Sequence, residues 1–314
     1  MKKRFLALTL SALMLVSVCA ACDKKEDVPV ESTTIADVSK EKEGPVNPAE
    51  PTQIPKMSSE LQRIESVSDS GTHVKEYEMG KLMREYDQAF FDEDAEGQYF
   101  ISEYVYTGDL ISQIITTSKS GAVTKTTYSY DNGHISKIDT ISEDTKYESV
   151  YEYEYEDDKL VSRTYTSDDE RRSYTEYFYD DDGYMIRYEE VFSPDGKTRN
   201  TQVAEYTYDE NGYVNTITID NGDPTIHKVS YENDADGNIL TMDGYHDDYN
   251  HKYCAYEYDD HGNMVSSFSQ ELSFDDEGQT MTWENLYDSN GRLLSVVGPN
   301  DMGEQATTTY YYFS

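Results

Sequence analysis

The side chains in this chain whose types and spacing could do chemistry offer at most a metal site, and no constellation for bond-making. "ENDADGNILTMD", residues 232 to 243, sets Glu232, Asp234, Asp236, Gly237, Ile239 and Asp243 at positions 1, 3, 5, 6, 8 and 12 of a twelve-residue calcium loop. Oxygen ligands at that spacing can wrap one hard cation and the glycine permits the sharp bend, so calcium is the cofactor this loop would take. Position 1 is Glu where Asp is usual, no obvious helices flank the stretch, and the same place in other repeats is a plain turn, so an enlarged hairpin turn is the preferred reading, no cofactor is expected, and calcium is the alternative. His246, His251 and Cys254 come closest to a zinc set, without the tight ligand pair that ordered zinc sites have. Acyl-transfer, phosphate-loop and dinucleotide patterns do not occur, and the carboxylates recur at regular intervals instead of pairing at one place. The expectation is a protein that is not an enzyme.

Those loops must be held by a repeat. "YSYDNGH" at Tyr128, "YFYDDDGY" at Tyr177, "YTYDENGY" at Tyr206 and "YEYDDHGN" at Tyr256 share a tyrosine pair, then acid and a glycine. Anchored on the second tyrosine or its substitute, the units start at Tyr77, Tyr106, Tyr130, Tyr155, Tyr179, Tyr208, Tyr231, Tyr258, Tyr287 and Tyr312, spaced 23 to 29 residues apart. Asp and Asn bond their own backbone and Gly supplies positive φ, so each unit ends its rising strand in a hairpin turn. An aliphatic residue follows each turn, and a second turn signal lies half a period later. The chain therefore reads as all-β: a repetitive antiparallel meander of about ten two-stranded hairpin repeats forming a curved or twisted open sheet.

Residues two apart on a strand share a face, so paired tyrosines stack on the pair in the next unit while their hydroxyls stay hydrated. Large residues three before the first tyrosine, such as Val150 and Tyr174, predict a bulge in the rising strand. "SSELQRIESV" (58–67) and "KLMREYDQAFF" (81–91) are rich in helix formers and predict short capping helices. The terminal "TTTYYYFS" is an aromatic strand that needs a partner or a cover.

Lys2, Lys3 and Arg4 followed by the apolar run Phe5 to Val18 read as an export signal, too short to span a bilayer comfortably. "SVCAACDKK" resembles the lipobox of bacterial lipoproteins, which implies a signal peptide over 1–21 and lipidation of Cys22. An ordinary cleaved signal is the alternative. Residues 22–57 are rich in Lys, Glu, Pro, Ser and Thr, lack aromatics, and read as a disordered tether. The net charge of −37 and all 30 tyrosines fall in 58–314, the β-repeat domain. Such acidity repels nucleic acid and anionic lipid and leaves basic proteins and divalent cations as partners, or merely keeps an exposed sheet soluble.

"YDSNGRLLSV", from Tyr287, resembles the YD repeat of bacterial Rhs proteins and teneurins: Tyr287, Asp288, Gly291, Arg292 and Leu293 fit its core. Other units keep Tyr-Asp and Gly but place Tyr184, Tyr213 or Asn263 at the Arg position, and Tyr106 and Tyr155 lack the Asp. The resemblance implies a curved β-repeat surface used in adhesion or carbohydrate contact. The expected protein is lipid-anchored at the envelope membrane, extracytoplasmic or on the cell surface, and binds a glycan or protein partner through aromatic sheet faces. A purely structural envelope component and a calcium-binding module are the alternatives.

Overall fold

The computed structural model describes residues 57–167, 170–193, 199–222, 227–247, 250–272, 277–300 and 303–312. Within them the chain is all strand and turn. The strands are β1 (Leu61–Ser68), β2 (Gly71–Glu78), β3 (Lys81–Asp87), β4 (Phe100–Thr107), β5 (Leu110–Ser118), β6 (Val123–Asp131) and β7 (His134–Ser142). They continue as β8 (Tyr147–Glu156), β9 (Lys159–Ser167), β10 (Glu170–Tyr179), β11 (Met185–Phe192), β12 (Asn200–Tyr208), β13 (Val214–Asp220) and β14 (His227–Asn233). The last are β15 (Ile239–Asp247), β16 (Asn250–Tyr258), β17 (Met264–Glu271), β18 (Gln279–Thr282), β19 (Glu284–Tyr287), β20 (Leu293–Pro299) and β21 (Gln305–Tyr312).

Each strand pairs antiparallel with its neighbours in sequence, with one interruption. Thr282 of β18 pairs with Ser266 of β17, Trp283 donates its backbone N–H to the Val265 carbonyl at 3.0 Å, and from Glu284 onward β19 pairs with β20. β18 and β19 are thus one strand that changes partners at Trp283. The expected open sheet is corrected here: β21 pairs with β1 from Leu61–Tyr312 to Ser68–Ala306, so the sheet is nearly closed and barrel-like. That pairing is what the aromatic C-terminal strand needed, because an uncovered edge invites aggregation.

It also explains why the helix expectations fail. Residues 58–67 lie mostly in β1, held by β2 on one side and β21 on the other, and 81–91 hold β3 followed by a 3-10 turn at Gln88–Phe91. Helix propensity is worth tenths of a kcal/mol per residue, and two ladders of backbone hydrogen bonds outweigh it.

The two faces of the sheet differ. One carries the tyrosine pairs and is buried: Tyr104, Tyr177, Tyr206, Tyr231, Tyr256 and Tyr310 are each 5–8% exposed. The opposite, outer face carries exposed Glu103, Glu152, Glu176, Glu205 and Glu257.

Every anchor but Tyr231 sits opposite a bulge in its partner strand. A rising-strand bulge of the expected kind occurs in β10, where Arg172 is skipped beside Tyr174. Val105 pairs with Gln113 and Tyr106 with Ile111, which skips Ser112; Thr207 pairs with Thr216 and Tyr208 with Val214, which skips Asn215. A bulge adds a residue to one strand and disrupts the ladder locally. Here the next anchor meets the carbonyl beside it: the hydroxyls of Tyr106, Tyr130, Tyr179, Tyr208, Tyr258 and Tyr312 donate to the carbonyls of Leu82, Ile111, Leu160, Met185, Ile239 and Leu293 at 2.6–3.0 Å. These hydroxyls are ladder donors, not hydrated tips, which is why the position is Tyr and not Phe. In β14 the role passes from the expected Tyr231 to Asn233, whose Nδ2 donates to the Val214 carbonyl at 2.9 Å.

Candidate binding surfaces

The rim that carries the post-anchor turns is built from two kinds of loop. Early hairpins close with two residues, both left-handed at Met79–Gly80, Asn132–Gly133 and Asp157–Asp158. Later ones close with five, in which Asp180, Asp209, Asp234, Asp259 and Asp288 accept through Oδ1 from the backbone N–H groups two and four residues on. Asn300 accepts in the same way from Glu304 in the turn before β21.

The calcium-loop residues belong to this series. Asp234 is the turn carboxylate, and Asn238 Nδ2 donates to its second oxygen at 2.7 Å. Burial pushes the Asp234 carboxyl up, but the hydrogen bonds from Asn238, Asp236 and Gly237 outweigh it and hold it below its ordinary range. Asp236 lies in the same turn, Glu232 on β14 accepts from Thr241 Oγ1, and Asp243 sits on β15 paired with His251 at 2.5 Å. Four residues separate Asp243 from Ile239, about 13 Å of strand, so the structure does not gather the set around one point. Among the described residues no group of three His, Cys, Asp or Glu side chains is arranged to hold a metal. His251 and Cys254 lie on opposite faces of β16, and the His246 side chain and Cys22 lie outside the described residues.

The position occupied by Arg in the YD pattern has a physical role. Its residue lies over the ring of the next anchor: Lys81 over Tyr106 at 5.4 Å, Lys159 over Tyr179 at 5.4 Å and Arg292 over Tyr312 at 5.0 Å. His134 stacks on Tyr155 at 4.6 Å and Tyr184 packs on Tyr208 at 4.8 Å. Cations and flat rings both cover a π face, so the position tolerates Lys, Arg, His and Tyr.

Deeper in the tyrosine face lies a polar knot. The register aligns Arg163, Thr175 and Glu190 across β9, β10 and β11. Arg163 Nη2 donates to Thr175 Oγ1 at 3.2 Å and meets Glu190 Oε1 at 3.5 Å, with both charged residues under 10% exposed. Arg163 Nε, Glu190 Oε2 and the Tyr177 hydroxyl are buried without a hydrogen-bond partner among the described residues.

Two places on the surface could receive a ligand. One is an open groove of about 590 Å³ beside the β2–β3 turn, lined by Glu78, Met79, Met83, Val105 and Asp109. Lys81 borders it with its ammonium already held by the Gly108 carbonyl at 2.6 Å and Asp109 at 2.8 Å. The other is the outer face itself. Of the aromatic residues expected to make contact, Tyr104, Tyr177, Tyr206, Tyr231, Tyr256 and Tyr310 are buried in the core and turned away from the surface, whereas Phe178 and Tyr311 are exposed.

No family model matches the chain, and no curated protein matches it in sequence. Among solved structures, a porin-like protein from Bacteroides uniformis is similar over 83% of this chain and 99% of its own length, at 13% identity and a TM-score of 0.37. A porin-like protein from Bacteroides vulgatus is similar over 80% of this chain and 98% of its own, at 11% identity and a TM-score of 0.19. The TcdB2-TccC3 structure without its hypervariable C-terminal region is similar over 80% of this chain at 13% identity and a TM-score of 0.29; the chain spans 16% of that structure's length.

Proposed function

We propose that this chain is an exported, lipid-anchored β-repeat protein of the bacterial envelope, without catalytic activity, that displays its outer face and turn rim to a glycan or protein partner. The observation that carries the reading is the division of labour between the faces. Tyrosine rings and hydroxyls are consumed in holding strand to strand, while charged and polar residues stand outward. The repeat itself is YD-like, supported by Arg292, which bonds Asp288 Oδ2 at 2.6 Å while covering Tyr312.

A membrane-spanning barrel is disfavoured on the same ground. Such barrels turn an apolar band toward lipid, and a Glu there is costly near the midplane. This outer face has exposed Glu103, Glu152, Glu176 and Glu205 within its strands. A purely structural envelope component is the second reading, favoured by how fully the tyrosines are committed to the ladder.

Metabolic labelling with a palmitate analogue tests the anchor: label should appear on the wild-type chain, with the protein in the membrane fraction, and both should be lost in Cys22→Ala. Unchanged membrane association without label would reject lipidation. Screening the full-length protein in detergent against glycans and purified envelope proteins tests binding; a blank result across both favours the structural role.

A further inference from the structure

Strands β2, β3 and β4 carry a charged cluster that neither the turn rim nor the outer face uses. His73, Lys75 and Tyr77 share the tyrosine-bearing face of β2, and the register sets His73 opposite Asp87 and Lys75 opposite Glu85 on β3. His73 Nδ1 lies 3.2 Å from Asp87 Oδ1, within hydrogen-bond reach. Its Nε2 is 3.8 Å from Glu85 Oε2, buried and without a hydrogen-bond partner among the described residues. From β4 come the Tyr104 hydroxyl, which donates to Glu85 Oε1 at 2.6 Å, and the Phe100 ring, 6.5 Å from the imidazole. Lys75 Nζ reaches Glu85 at 4.0 Å, and the β1 residue opposite His73 is uncharged Ser66.

This cluster stands at the mouth of the connection from β3 to β4. The ladder between those strands ends at Tyr86–Ile101, and the next step is closed by a side chain: Asp87 Oδ2 accepts from the Phe100 backbone N–H at 3.4 Å. Farther along, the connection is fastened by β5, where the Lys119 ammonium donates to the carbonyls of Asp92 at 2.6 Å and Ala95 at 2.7 Å. The 3-10 turn at Gln88–Phe91 is the part that follows Asp87 directly, and it covers the outer face. Phe91 packs edge-on against Tyr86 at 5.3 Å, and Arg84 lies over the two rings at 5.4 Å and 4.8 Å. The turn packs on β2, where Val74, opposite Tyr86, is fully buried; Tyr86 is buried too, and Phe91 is half exposed.

We propose that His73 is a pH-dependent latch for this turn: its imidazolium, held between Asp87 and Glu85, closes the mouth of the connection, and its deprotonation lets Gln88–Phe91 lift from Val74 and Tyr86. The latch stands apart from the display reading and needs neither the lipid anchor nor a partner. As imidazolium, His73 can donate from both ring nitrogens, one toward each carboxylate. As neutral imidazole it keeps a single donor, and the repulsion between Glu85 and Asp87 is no longer offset. Burial lowers the His73 pKa, but the hydrogen bonds and charges of Glu85 and Asp87 outweigh it and hold it above its ordinary value. Burial pushes Glu85 up, but hydrogen bonds with His73 and Tyr104 and the charge of Lys75 bring it below its ordinary range, so it stays ionised while His73 titrates. A base with a raised folded pKa grips its partners fully below its unfolded value of about 6.5 and lets go as pH rises through the folded one. The turn is therefore closed in mild acid and loosens as the proton leaves.

Para-fluorophenylalanine placed at Phe91 of the full-length protein in detergent tests the latch, with fluorine NMR reading the turn and proton NMR reading the His73 imidazole from about pH 5 to 9. The fluorine signal should shift with a midpoint above about 6.5 that coincides with the His73 titration. His73→Gln should abolish that shift. Asp87→Asn, a second route should the first variant misfold, should lower both midpoints together, because it removes the carboxylate nearest the imidazole. A fluorine signal that stays constant while His73 titrates overturns the inference, as does a shift that persists in His73→Gln. A His73 midpoint at or below about 6.5 overturns it as well.

Discussion

The hairpins up to β9 and those after it solve the same turn in different ways. Before β9, anchor and aliphatic residue are five apart and the loop is a two-residue reversal in left-handed backbone, as at Tyr130–Ile135. From β10 onward they are six apart, and an aspartate organises the loop through backbone N–H groups, as at Tyr208–Val214. The bulge opposite the anchor and the tyrosine hydroxyl on the neighbouring carbonyl occur in both regions. The difference teaches that the turn is the replaceable part of the repeat. What fixes register is the bulge together with the hydroxyl that reaches its carbonyl.

The largest effect should come from the knot at the junction of the two regions. Arg163→Met leaves Glu190 buried and uncompensated and should cost about 3–5 kcal/mol in chemical denaturation. Adding Glu190→Leu should recover most of that loss; if the double variant is as unstable as the single, the ion pair is not what the region depends on.

Next, Tyr106→Phe before β9 and Tyr208→Phe after it should each cost about 1–3 kcal/mol by leaving a carbonyl without its donor. A loss confined to one region would break the claim that both share this bond.

Glycine substitutions sharpen the contrast between turns. Gly133 and Gly212 have similar φ, +93° and +87°, but a Cβ at Gly133 meets nothing within 4 Å, whereas at Gly212 it would lie 2.5 Å from the Tyr184 hydroxyl. Gly133→Ala should cost about 1 kcal/mol for left-handed backbone. Gly212→Ala should cost about 1 kcal/mol more, since Tyr184 must leave its packing on Tyr208. Equal thermal shifts would show that rim stacking contributes nothing. The smallest change has the opposite sign: Met79 holds φ +52° in an exposed two-residue turn, so Met79→Gly should raise stability by less than about 1 kcal/mol.

Much of this architecture was legible in the sequence because turn chemistry and two-residue alternation are local. The Asp-x-x-Gly loops, the aliphatic restart after each and the strand lengths follow from residues within ten positions of one another. Closure was not legible. Whether Tyr312 meets Leu61 depends on twist summed over the whole sheet, and the helix formers in 58–67 and 81–91 concealed the strands that complete it. The hydroxyl–carbonyl bond was missed for a similar reason, since it joins residues 19 to 24 apart through a bulge. One signal was available: none of the ten anchors is Phe, and where the bulge-facing position in β14 is not Tyr it is Asn233, another donor. The calcium spacing in 232–243 matched because a hairpin turn also uses Asp and Gly at short intervals, and strand geometry then carries Asp243 away.

The central claim is that the tyrosines form a buried, bonded face, and phenolate absorbance against pH tests it most directly. Burial raises Tyr188 and Tyr310 to about 12, and Tyr208 to about 12 with Asp180 adding to the effect. A phenol whose folded pKa lies above its unfolded value of about 10 gives stability that is intact below pH 10 and falls as pH rises through 12, by about 1.4 kcal/mol per pH unit for each such group. Most tyrosines should therefore ionise together, between about pH 10 and 12, in step with loss of β-sheet circular dichroism. Ionisation of most of them near pH 10 with the sheet signal intact would contradict the account.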